Sequence, residues 1–249
     1  MSLHEQEDLP EQTLVDHLRE LRKRLVYSAL GIVCMAAACW IYKELLFDLI
    51  RQPIEPFLST DQKGLIYTGL MENFLAYIKI SLLGGVILSC PFWLYHLWRF
   101  LSPALYKNEK KYGLAFIFSG TVLFVSGVSF VYFLVYPIAF EFLLSFGQGQ
   151  DQALITVSEY LSFFIKTTFL FGLAFEIPLI LTLLGLLGIV SADFLASNRR
   201  YAFLFLSFAS ALMTPPDPLS MLMMAMPMVL LYELSIWSIR ILGPRDNIE

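Results

Sequence analysis

The stretch Trp98 to Lys111, WRFLSPALYKNEKK, decides how the chain is read, because it is a short polar break between two long apolar runs. Its cations are Arg99, Lys107, Lys110 and Lys111, and its carboxylate is Glu109. Charge pattern alone leaves two readings of Glu109 open: a residue that neutralises its lysine neighbours on a solvated surface, or a carboxylate that binds a cation. The rest of the chain makes this stretch the cytoplasmic loop of a membrane protein.

Of the 249 residues, 57% are hydrophobic and 15% charged, and the mean hydropathy is +0.67, more apolar than one soluble core of this length can hide. The chain reads as an all-α integral membrane protein forming one polytopic domain over residues 1–249. Formal net charge is −4, with the cations spread through short loops, so no basic footprint for nucleic acid exists. Cys34, Cys39 and Cys90 lie inside apolar runs without CxxC spacing and read as small packing residues. The start, MSLHEQEDLPEQ, is acidic and unlike a cleaved signal or transit peptide, so the first span is expected to direct the chain to the membrane.

In TLVDHLRELRKR, residues 13–24, Leu14, Leu18 and Leu21, with Leu25 beyond them, form one helical stripe, and Thr13 with Asp16 fits a capping-box variant. This amphipathic helix is expected to lie along the membrane interface before the chain turns inward, with His17 at its surface. The next 18 residues, 25–42, carry no charge and reach about 27 Å as a helix, roughly the hydrocarbon thickness. An outer loop with short helices, broken by Pro53 and Pro56, follows. Span two covers residues 73–97, kinked but not broken at Pro91, with His96 near its interfacial end. Span three covers 112–136, span four 161–187, span five 201–213 and span six 219–237. Span five, with 13 residues, reaches only about 20 Å and is joined to span six by the turn TPPDP. Gly84 with Gly85, and Ser119 with Gly120, are small residues of the kind that let helices approach closely in lipid.

Orientation follows from the cations. Twelve of the 17 fall on one side: Arg19, Arg22, Lys23, Arg24, the four of the Glu109 loop, Arg199, Arg200, Arg240 and Arg245. The other side holds Lys43, Arg51 and Lys63, so both termini and the Glu109 loop are assigned to the cytoplasm. Lys79 and Lys166 lie one to two turns from the outer helix ends, from where each ammonium snorkels to the interface. Glu176 lies mid-span beside Pro178, where a carboxylate costs about 2.5 to 3.5 kcal/mol unless it finds partners or water, and a polar, wet notch is expected around it. Glu233 reads as interfacial.

No nucleophile elbow, HExxH, P-loop or CxxC is present, so neither catalysis, a metal nor a cofactor is indicated. Four segments then become recognisable together: LRELRKR at 18–24, FLSPALYKNEKK at 100–111, FEIP at 175–178 and TPPDP at 214–218. In this order they closely resemble TatC, the receptor subunit of the twin-arginine protein translocase, over nearly the whole chain. The resemblance implies a six-helix cupped hand, N-in and C-in, in a bacterial cytoplasmic (inner) membrane. It implies a protein that binds paired-arginine signal peptides and, with the single-span partners TatA and TatB, exports folded proteins on the proton-motive force, as a homo-oligomer within a receptor complex. Signal-peptide contacts then fall on Glu20, Arg22, Phe100 and Glu109, the intramembrane partner site on Glu176, and outer functional positions on Pro53 and Asp217. Met221 departs from the polar glutamine some relatives carry, and the run Met221 to Met228 is either a deformable partner surface or lipid-facing packing.

The residues support such binding independently. A carboxylate accepts the planar guanidinium fork in bidentate fashion, whereas an ammonium is a point charge. At about 4 Å and an effective dielectric near 20, the Coulomb term is about 4 kcal/mol before desolvation. Glu20 and Glu109 are the expected poles, with Phe100 beside them as an apolar or cation–π surface. Two other classes stay open: a small secondary transporter or proton channel using Glu176, and a structural scaffold without arginine selectivity.

Overall fold

A computed structural model of the chain describes residues 14–58, 64–102, 113–145, 154–213 and 218–242. Glu109, Asp217, most of the FLSPALYKNEKK loop and most of the TPPDP turn lie outside the described residues. The described chain is helical: α1 (Leu14–Ile41), α2 (Lys43–Arg51), α3 (Glu72–Leu88), α4 (Cys90–Leu101), α5 (Gly113–Phe130), α6 (Tyr136–Ser145), α7 (Val157–Phe175), α8 (Ile177–Leu186), α9 (Ala192–Ser197), α10 (Arg199–Met213) and α11 (Pro218–Leu242). Four stretches among them are long and apolar enough to cross a membrane, Val15–Ile41, Gly113–Ser145, Val157–Leu186 and Met221–Leu242. The bent pair α3–α4 supplies a fifth. Large apolar side chains such as Val33, Phe118, Phe133, Leu204 and Trp237 stand exposed, as lipid contact requires.

The expected turn between an interfacial helix and span one is absent: α1 runs unbroken for 28 residues. The polarity of its surface changes after Arg24, but neither proline nor glycine stands between Leu14 and Leu30 to stop the helix. Span two, expected to kink, is instead broken at Ser89, where α3 and α4 meet at 56°. Pro91 has no N–H for the carbonyl four residues back, and the opened turn is filled by side chains. Ser89 Oγ donates to the Val86 carbonyl at 3.4 Å and Trp93 Nε1 donates to the same oxygen at 3.3 Å.

Span three extends beyond its expected end to Ser145. Pro137 is absorbed by a widened π-turn, Val131–Val135, in which the Tyr136 N–H reaches the Val131 carbonyl. Span four also breaks, at Glu176, with Pro178 in the first turn of α8.

The segment between α1 and α3 is ordered by short elements, as expected. α2 ends under two tyrosines: Tyr132 donates to the Leu49 carbonyl at 2.8 Å, and Tyr160 donates to that of Ile50. Pro53 and Ile54 are buried just beyond. Glu72, at the head of α3, accepts from the amides of Thr68 at 2.6 Å, Gly69 at 3.2 Å and, from α7, Ser158 at 2.7 Å. One carboxylate thereby ties the N-terminal ends of α3 and α7 together.

Helix crossings rest on glycine. α1 packs along α3, and a Cβ built on Gly85 would lie 2.7 Å from the Ala36 nitrogen and 2.8 Å from the Ile32 carbonyl oxygen. At Gly84 the same atom would meet only the Cys39 sulfur, at 2.9 Å. Gly85→Ala is therefore expected to cost about 1–3 kcal/mol by pushing backbone from backbone. Gly84→Ala stays near neutral, because a thiol moves and Ala favours helix by about 1 kcal/mol. Thermal unfolding of the purified protein in detergent checks the pair.

Candidate functional site

Two places gather the expected site residues. The first lies where the start of α1 meets the end of α4. His17 stacks on Phe100 with ring centroids 4.5 Å apart, which pins the aromatic ring against α1. One turn further on, Arg24 Nη2 donates to Glu20 Oε1 at 2.9 Å, an i,i+4 pair with acid preceding base. Between the helices and α7 opens a cavity of about 430 Å³, lined by Leu21, Arg24, Leu25, Leu97, Phe100 and Leu173 among others. That volume is in the range of about 300–1,000 Å³ typical of ligand clefts.

Its wall is almost wholly apolar, and two polar atoms on it, Arg24 Nε and His96 Nδ1, are buried without a hydrogen bond among the described residues. His96, expected at the interface, is only 7% exposed. It is boxed by Phe92, Tyr95 and Tyr27 at centroid distances of 4.6, 5.3 and 5.6 Å. Phe100 thus lines the cleft, and Glu20 is joined to it through its ion pair with the lining residue Arg24. Arg22 is exposed and does not line it. Arg24 and His96 escaped sequence reasoning because their setting comes from helix packing, although the i,i+4 spacing of Glu20 and Arg24 was legible.

The second place is Glu176, at the hinge between α7 and α8. It is 4% exposed, and among the described residues neither carboxylate oxygen has a hydrogen-bond partner. Around it stand Gly120, where a Cβ would lie 3.3 Å from Glu176 Oε2, and the methyl groups of Leu94 and Leu179. The described surroundings are therefore drier than the notch expected from sequence. Glu233, read as interfacial, is half-exposed and clamped by Arg199, Nε to Oε1 at 2.6 Å and Nη2 to Oε2 at 3.0 Å, joining α10 to α11. Pro53 is at the opposite end of the bundle from Glu20. In the methionine run, Met224 and Met228 are core residues, while Met226 is exposed.

The family model described as Sec-independent protein translocase protein (TatC) matches residues 16–227. The chain belongs to the TatC family. It is 43% identical over 234 residues to the Sec-independent protein translocase protein TatC of Desulforapulum autotrophicum, covering 93% of this chain and 86% of that one. It is 36% identical to the TatC of Carboxydothermus hydrogenoformans, covering 96% and 97%. A crystal structure of the twin-arginine translocase receptor TatC in DDM superposes with a TM-score of 0.78 at 35% identity, over 89% of this chain and 98% of that one. The protein is accordingly a multi-pass component of a protein translocase, a membrane transport protein rather than an enzyme.

A buried carboxylate without partners is destabilising in the isolated protein. Glu176→Leu is expected to raise the melting temperature by at least about 2–4 °C, the shift that 1 kcal/mol produces in a chain of this size. A fall measured by differential scanning fluorimetry in detergent would mean that the carboxylate stabilises the fold.

Proposed function

We propose that this chain is the receptor of a twin-arginine translocase, binding paired-arginine signal peptides at the cytoplasmic face of a bacterial inner membrane. The observation that carries this reading is a carboxylate, Glu20, beside an apolar cleft with Phe100 on its wall. A signal peptide of this class offers the complementary chemistry: guanidinium groups followed by an apolar segment. Glu20 and Glu109 take the two arginines, Phe100 covers them, and the apolar segment enters the cleft. Arg22, facing away from the cleft, contacts the flanking polar residues of the signal.

In this reading the membrane topology has six spans with both termini inside. The 15-residue α10, only about 22 Å long, is the fifth. Single-span TatA and TatB dock where Glu176 lies unpaired, and their arrival supplies the polar group that its carboxylate lacks. Pro53 and Asp217 shape the outer ends, further copies of the chain complete the receptor complex, and the proton-motive force drives export of the folded cargo. A secondary transporter using Glu176 would instead pass solute or protons in liposomes without any peptide.

Photo-crosslinkers placed at positions 100 and 109 test the reading. Adducts with an Arg-Arg signal peptide are expected to weaken with a Lys-Lys peptide of equal charge and in Glu109→Gln. Equal labelling by both peptides, or none, would overturn it.

A further inference from the structure

A second groove, of about 520 Å³, runs along α11 beside the start of α10 and shares no lining residue with the cleft at Phe100. Arg199, Leu230, Glu233, Leu234, Trp237 and Arg240 line it, and its composition is graded. Leu230, Leu234 and Trp237 succeed one another as exposed residues on one face of α11, and Arg240 stands one turn beyond, about 15 Å of helix from Leu230. The helices also end unevenly. α10 has 15 residues against 25 in α11, and Arg199 at its start meets Glu233, one turn inside Trp237. A tryptophan of this kind marks the membrane interface. The Arg199–Glu233 pair therefore faces outward below that level, with side-chain exposures of 43% and 40%. Hydrocarbon offers an ion pair nothing, so a polar group of the membrane has to reach down to it.

Both arginines have N–H groups to spare. Arg199 spends Nε and Nη2 on Glu233 and keeps Nη1. Arg240 makes no hydrogen bond among the described residues, and its ion-pair partner Asp193 stands 3.8 Å away and almost fully exposed. We propose that this groove binds an acidic phospholipid. The phosphate sits between Arg199 and Arg240, the glycerol lies against Trp237, and one acyl chain covers Leu234 and Leu230. Guanidinium groups suit phosphate, and basic pockets between spanning helices at head-group level take anionic lipids. Arg199, Arg200 and Arg240 against Glu233 and Asp193 leave the mouth cationic, which favours an acidic head group over a zwitterionic one. A partner helix would have to bring a carboxylate to this depth, whereas a lipid carries its phosphate there already. The bound lipid bridges the start of the short α10 to the end of α11, and it does so whether or not the chain reads paired arginines.

Native mass spectrometry of the full-length protein in detergent, titrated with phosphatidylglycerol or phosphatidylcholine, tests the site. Wild type is expected to retain a first phosphatidylglycerol more tightly than phosphatidylcholine. Arg240→Gln, at an exposed position outside the Arg199–Glu233 clamp, should weaken that retention by about fivefold, the scale of one basic residue at an anionic membrane surface. Arg200→Gln removes the same charge from a side chain that does not line the groove and is set over the Tyr201 ring, so it should leave retention unchanged. Leu234→Trp fills the groove without touching a charge and should also weaken retention. Equal retention of the two lipids by wild type, retention of phosphatidylglycerol that survives either Arg240→Gln or Leu234→Trp, or an equal loss in Arg200→Gln would overturn the proposal. A dimer in place of the lipid adduct would overturn it too, making the groove a contact between copies of the chain.

Discussion

In hydrocarbon there is no water to take up a backbone group that a helix releases, so every interruption of a spanning helix must be satisfied from within the protein. That constraint organises this chain. Proline interrupts the helices at Pro91, Pro137 and Pro178, and the surroundings answer: near Pro91, Ser89 and Trp93 donate to the Val86 carbonyl, a π-turn accommodates Pro137, and at the Pro178 break the Glu176 N–H turns back to the Leu173 carbonyl at 3.1 Å. Two of these breaks lie near one another, because Leu94 of α4 and Glu176 at the α7–α8 junction both meet Gly120. Helices bent at such points can enclose a hollow, where straight ones would pack flush.

Glu176 is the buried carboxylate left unsatisfied: among the described residues neither of its oxygens has a donor, and Gly120, with Leu94 and Leu179 packed on it, stands beside it. A site that costs stability in isolation and stays buried is poised for a ligand or partner that brings the missing polar group. At the α1–α4 end the situation is complementary: Glu20 has a donor, but one that reaches it through Nη2 alone. Both carboxylates are therefore unfinished, one through absence and one through partial occupation, with an apolar cleft associated with the second.

Much of this was legible in the chain itself. Uniform hydropathy marked the spans, the cations suggested an orientation, and the small pair Gly84 and Gly85 marked a place of close helix approach, whose partner, α1, only the structure shows. What escaped was whatever depends on a neighbouring helix. Whether Pro91 kinks or breaks its helix is decided by Trp93 reaching back to Val86. The change of polarity after Arg24 suggested a turn, yet a helix with no stop signal continues through it. His96 looks interfacial by position and is buried because Tyr27 of α1 and its own aromatic neighbours close over it. Gly127, whose Cβ would lie 2.7 Å from the Phe171 carbonyl oxygen, stands in an otherwise plain apolar run.

The central claim is that carboxylates at the α1–α4 end of the bundle read the charge of a peptide directly, and a reciprocal charge exchange tests it most directly. With Glu20 and Glu109 both changed to arginine, crosslinking of an Arg-Arg signal peptide should be lost, and crosslinking of the same peptide carrying a Glu-Glu pair should appear. Retained Arg-Arg binding in that variant, or loss of both peptides from a protein that still folds, would contradict it.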